Sequence, residues 1–239
     1  MVRAQVLLCG LLAAALSLPA FAESTYSCPA GTYDIVDWMT LDSDLRATKH
    51  LTGTHDLYTV VWPDKFYWLK NSAGDTWDIN LFDSTGVYWW ITEYAYNTPR
   101  AYKKATSDYN FKATPRCVSG GLPGTTSLVP DTSYDIVRSC AYQSTQGLGN
   151  ALFEVWGPYK ISLGGSLPNN MPVLVLAYYW DCDSWYGNCA TKENYYLSQR
   201  YGLVRWEVNQ LVNGSYQLQS VSTFNQLVNG TIAPYFPCF

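Results

Sequence analysis

The residues best suited to chemistry in this chain are carboxylates set among aromatic rings. Glu93 follows Trp89 and Ile91 at alternate positions of one run, and Glu154 stands two residues before Trp156. A carboxyl projecting from an apolar strand face is desolvated, which raises its pKa and suits it to proton transfer. Two such groups facing one another across a sugar, about 5 to 10 Å apart, suffice for glycoside hydrolysis, one as acid and the other as nucleophile or base. Glu93 and Glu154 are therefore the candidate catalytic residues. Glu193 precedes Asn194, Tyr195 and Tyr196, and Glu207, on one strand face with Arg205, reads as a solvated cross-strand ion-pair partner.

The rings are the second chemical resource. Ten Trp, twenty Tyr and eight Phe bring the aromatic share to 16%, above the 14% of charged residues, so one core of this size absorbs some rings and leaves others exposed. An exposed flat ring in an extracellular β protein stacks on the apolar face of a pyranose while nearby amides and carboxylates read the hydroxyls. Trp89, Trp156, Tyr179, Trp185 and Tyr186 are the candidate substrate-binding residues, chosen because they flank the acids or fall near expected strand ends. Secreted β-sandwich glycan hydrolases and carbohydrate-binding modules are similar in Tyr and Trp abundance; the likeness is one of composition and carries no residue over.

Other chemistries find less support. His50 and His55, five positions apart and split by Gly53, lack zinc-helix spacing and have no G-x-S-x-G elbow to serve, so they read as surface-loop histidines, with His55 beside Asp56 as an alternative oriented base. No glycine-rich phosphate loop is present. Asp42 with Asp44 and Asp181 with Asp183 leave room for structural calcium without matching a twelve-residue calcium loop, and no other cofactor is implied. A net charge of −4 without a basic cluster argues against nucleic acid and against a groove for β-elimination of an acidic polysaccharide. The expected partner is thus a polysaccharide or glycan.

The elements that must position these groups follow from the rest of the chain. Arg3, an apolar run from Val6 to Leu18 and the sequence Pro19-Ala20-Phe21-Ala22 read as a signal peptide over residues 1–22, and the run is too short to span a membrane. Export as a secreted, extracellular or periplasmic protein without membrane insertion is expected. Cys28, Cys117, Cys140, Cys182, Cys189 and Cys238 then read as three disulfides, with Cys182 and Cys189 close enough to staple a loop and Cys28 and Cys238 tying the ends to the body.

Residues 23–239 are expected to form one β domain. Leu203–Val212 alternates apolar with polar residues, Asn213-Gly214 supplies a hairpin turn, and Ser215–Thr223 returns. The hexapeptide Asn209–Gly214 recurs as Asn225–Gly230, which predicts a second hairpin turn, with glycosylation at Asn213 and Asn229 as the alternative use of both sites. Pro172–Trp180 is apolar throughout, as in a central strand covered on both faces; Val87–Tyr94, Phe66–Leu69 and Leu152–Trp156 read as further strands. Residues 118–130 read as a long surface connection, and Asp42–His50 as a short helix. The fold expected is an antiparallel β-sandwich, jelly-roll-like, with few short helices; a closed β-barrel is second, and an outer-membrane barrel is disfavoured by Pro234, Pro237 and the cysteines. Function is expected to be extracellular carbohydrate binding in an aromatic cleft, extended to cleavage by paired carboxylates; the alternative is a non-enzymatic secreted structural or protein-interaction domain.

Overall fold

β-Branched and aromatic residues in short runs, interrupted by Gly, Asn and Asp, favour pleated strands over helix. The computed structural model describes residues 26–62, 64–70, 76–94, 98–103, 111–124, 132–136, 142–145, 152–182 and 189–232, and most of these are strand. In chain order the elements are β1 (Tyr33–Asp34), α1 (Ile35–Met39), α2 (Ser43–Arg46), β2 (Lys49–Gly53), β3 (Tyr58–Val61), β4 (Lys65–Leu69), β5 (Thr76–Phe82) and β6 (Gly86–Tyr94). They continue with β7 (Thr98–Lys103), β8 (Phe111–Pro115), β9 (Cys117–Val118), β10 (Leu122–Gly124), β11 (Thr132–Ile136) and β12 (Tyr142–Thr145). Last come β13 (Leu152–Ile161), β14 (Met171–Cys182), β15 (Cys189–Ser198), β16 (Gly202–Val212) and β17 (Ser215–Asn229).

Two antiparallel sheets pack face to face as the expected sandwich, and no barrel closes among the described residues. One sheet has seven strands in the order β10-β13-β14-β15-β16-β17-β2; the other has eight, ordered β12-β11-β7-β6-β5-β4-β3 with β8 paired to β6. Strands consecutive in the chain are neighbours from β3 to β7 and from β13 to β17, so meanders build most of each sheet. This connectivity is simpler than the Greek keys of a jelly roll.

The core lies between the sheets. Phe153, Val155, Leu174, Leu176, Tyr178, Leu197 and Val204 face inward from the seven-stranded sheet and meet Phe66, Trp68 and Val87 of the other. Trp68 stacks on Tyr195 with ring centroids 6.4 Å apart, while Trp77 meets Trp206 edge-on at 5.3 Å. Each large side chain so buried contributes about 1.5–3 kcal/mol, so these rings stabilise the sandwich before they serve any ligand. Every side chain of β14 from Val173 to Tyr178 is buried, as its unbroken apolar run predicts.

Local chemistry sets the turns and ends. Asn213 (φ 53°) and Gly214 (φ 78°) form the two-residue turn joining β16 to β17. The repeated hexapeptide does not make a second hairpin turn: residues 225–229 continue β17 and pair with β2, because the edge strand from the N-terminal half fixes them as ladder. Residues 118–130 are not wholly a surface connection either, since Leu122–Gly124 pairs with β13 as β10. The expected helix near residue 42 is confined to the single turn of α2, after which Lys49 and His50 enter β2.

The N-terminal segment is tied to the body around Arg116 and Cys117. Cys28 bonds Cys117, and Asp34 accepts two bonds from the buried Arg116 guanidinium, from Nε and from Nη2 at 2.6 Å. Asp34 also caps α1 by accepting from the Val36 N–H at 3.0 Å. The rings of Tyr26 and Phe82 cover the guanidinium at 4.6 and 4.9 Å. A second disulfide joins Cys182 to Cys189 across the β14–β15 hairpin, the staple expected from their spacing. The signal peptide, Cys140 and Cys238 fall outside the described residues.

Candidate functional site

Side chains alternate across a strand, so residues opposed in the ladder share a face. Because Phe153 and Val155 point into the core, Glu154 and Trp156 point outward from the seven-stranded sheet. The register builds three outward rows. The first runs Trp156, Val175, Tyr196, Arg205 and Thr223; the second Glu154, Ala177, Asn194, Glu207 and Val221; the third Tyr179, Lys192, Asn209 and Leu218.

Two carboxylates anchor the polar groups of this face. Glu154 Oε2 accepts from the Trp156 indole N–H at 3.1 Å and from the Tyr179 hydroxyl at 2.7 Å. Trp156 stays 42% exposed, so its fixed ring is presented to solvent. Tyr179 packs edge-on to Tyr216 at 5.7 Å, and the Lys192 ammonium lies 5.0 Å from the Tyr179 ring centre and 5.9 Å from that of Tyr216. Tyr216 in turn donates to the Cys189 carbonyl at 2.8 Å, beside the disulfide that closes the hairpin. Burial, with the Glu154 carboxylate that it donates to, pushes the Tyr179 phenol well up, so it stays protonated as a donor.

Glu207 is the second anchor. Arg205 donates to its Oε1 within the same strand, while Asn194 (3.1 Å) and Tyr196 (3.0 Å) donate to Oε2 from β15. Burial pushes this carboxyl up, but the bonds from Asn194, Arg205 and Tyr196 outweigh it and hold the group below the ordinary Glu range. Desolvation and the Glu207 charge push Tyr196 up to about 12. Glu207 is thus not the solvated cross-strand partner expected from its spacing: it is buried, its ion pair lies along the strand, and its cross-strand bonds come from neutral groups.

Of the residues singled out from the sequence, Glu154, Trp156 and Tyr179 come together. Trp89 and Glu93 lie on β6 in the other sheet, with side chains outside the described set, and Trp185 and Tyr186 fall outside the described residues. Lys192, Tyr216, Asn194 and Tyr196 join the face without having been singled out as site residues; their signal is the β14-to-β17 register, which follows only when all four strands are aligned. Glu154 does not project from an apolar face, because the apolar parity of β13 points inward.

The carboxyl that burial does raise is Glu193, on the core side of β15. It accepts from the Trp180 indole N–H at 3.1 Å and from the Tyr195 hydroxyl at 2.9 Å, bonds that only partly oppose the desolvation. The histidines are packed, not loop residues in water: His50 stacks on Tyr58 at 3.9 Å, and His55 meets Trp77 and Phe224 edge-on at 5.4 and 4.9 Å. Asp42 and Asp44 both accept from Arg200, which occupies one of the two acid pairs considered for calcium; of the other pair, Asp183 falls outside the described residues and the Asp181 side chain is outside the described set. Among the described residues no group of three or more His, Cys, Asp or Glu could hold a metal ion, and no helix is long and apolar enough to cross a membrane.

No protein-family model, curated protein or solved structure matches this chain.

Proposed function

We propose that the outer face of the seven-stranded sheet binds an extracellular polysaccharide, with Trp156 and Tyr179 as stacking surfaces and Glu154, Lys192 and Asn194 as hydroxyl-reading groups. The observation that carries this reading is the shared carboxylate of Glu154, which fixes an exposed indole and a half-buried phenol side by side at no cost in ring exposure. Ring edges and faces held in place lose little side-chain freedom on contact, which favours a weakly held, repetitive ligand. A flat sheet face suits the side of an extended chain better than it suits an enclosed single sugar.

The same face gives more support to binding than to cleavage. Glu154 and Glu207 occupy one row three strands apart, about 14 Å between backbones at ~4.8 Å per strand. Each is committed to its own donors, whereas glycoside cleavage asks for two carboxyls ~5 to 10 Å apart across the bond.

Intrinsic Trp fluorescence titrated against a panel of neutral and acidic soluble polysaccharides tests the proposal. A saturable shift with one glycan, weakened roughly tenfold or more by Trp156→Ala, about 1.4 kcal/mol of binding, is expected. Unchanged affinity in that variant, or no shift with any glycan, would overturn it. Release of reducing ends that disappears in Glu154→Gln would add hydrolysis to binding.

A second reading, a non-enzymatic protein-interaction domain, is favoured by one feature of the same face. Leu218 and Val221 are 53% and 41% exposed at its β17 end, a small apolar patch with no use for a sugar.

A further inference from the structure

A cavity of about 330 Å³ lies where the edges of the two sheets meet, away from the outer face just described. Strands β2 and β3 form its wall, α2 its roof, and Thr231 and Ile232, just past β17, close one side. Its size falls at the lower end of the range for small-molecule sites.

Its lining inverts the charge of the protein. The chain is acidic overall, yet among the described residues that line this cavity the charged side chains are Arg46 and Lys49, and none is a carboxylate. Ser43, Thr59, Thr231 and Tyr58 add hydroxyls, while Val60, Val61 and Ile232 supply apolar surface. Both cations are positioned: Arg46 donates from Nη1 to the Leu41 carbonyl at 2.9 Å, and Lys49 donates to Asn229 Oδ1 at 3.0 Å. A guanidinium and an ammonium over a wall of hydroxyls match an oxyanion, which accepts charge-assisted bonds from both.

We infer that this cavity is a binding site for a small oxyanion-bearing ligand, a phosphate ester or a carboxylate, held between Arg46 and Lys49 with the hydroxyls orienting its polar body. It stands independently of polysaccharide binding on the outer face.

Inorganic phosphate and glucuronate are the two probes, titrated calorimetrically into the exported protein with ionic strength held constant by sodium chloride. The expected result is saturable binding of at least one probe, weakened tenfold or more in the Arg46→Gln, Lys49→Gln double variant. Ala47→Trp, which fills the cavity from the exposed end of α2 and keeps both charges, is expected to block binding as well, and thermal melting without ligand verifies that each variant is folded. Binding of phosphate alone assigns a phosphate ester, of glucuronate alone a carboxylate, and of both a general oxyanion site. No saturable heat beyond the chloride control, or equal affinity in folded double variant and parent, overturns the inference.

Discussion

Arg116 lies where one substitution strands a charge. Its guanidinium neutralises the buried Asp34 through two bonds, and Arg116→Ala would leave that carboxylate desolvated and alone. The expected loss is about 3–5 kcal/mol of unfolding free energy, read from urea denaturation; a loss under about 1 kcal/mol would show that the pair is better solvated than its burial implies. Glu193 makes a prediction of opposite electrostatic character. Its folded pKa is raised, so the folded state holds the proton more tightly than the unfolded chain. The stability it contributes is full below the ordinary Glu pKa of about 4.3 and is lost as pH rises through the folded value. The stability of the parent relative to Glu193→Gln should therefore be larger at pH 4 than at pH 7; a difference independent of pH would contradict the assignment. Neither residue was legible as buried. On β15 both parities carry polar and tyrosine residues, so Glu193 and Tyr195 look no more inward than Lys192, Asn194 and Tyr196. Glu154 and Trp156 were legible as a pair because a two-residue spacing on a strand is purely local.

Between elements, close approach of backbones replaces charge as the deciding quantity. Gly53 ends β2 where a Cβ would stand 2.0 Å from the Thr223 carbonyl oxygen of β17. Gly53→Ala must push those backbones apart, at an expected cost of about 1–3 kcal/mol, measured as a lowered denaturation midpoint. An unchanged midpoint would mean that the β2–β17 edge yields freely. The elements readable in advance share one property: their evidence is local. The β16–β17 hairpin shows alternation with an Asn-Gly turn, and β14 shows an unbroken apolar run. The second hexapeptide copy misled because identical residues met a different partner, β2, whose backbone fixes Asn225 to Asn229 as strand. β10 and α1 were not legible, since three residues with a proline and a five-residue turn capped by Asp34 carry too little pattern.

The molecule is a sandwich because each of its two large sheets has an apolar face to bury against the other, and a mostly β chain was visible in composition. Trp38, Trp68, Trp77, Tyr178 and Tyr195 are all buried, so aromatic abundance spoke first for the core and only secondarily for the outer face. The proposed binding face was legible in three of its residues and obscure in the rest, because a face is a property of register across four strands. The topology has one more consequence, in time. The strands from β13 to β17 are sequential neighbours and can zip as each is made, whereas β2 pairs with β17 across a separation of 180 residues at Lys49 and Asn229. During synthesis β2 therefore precedes the neighbour it pairs with by most of the chain. The seven-stranded sheet therefore gains its β2 edge only once β17 has been made, and until then β2 must be shielded.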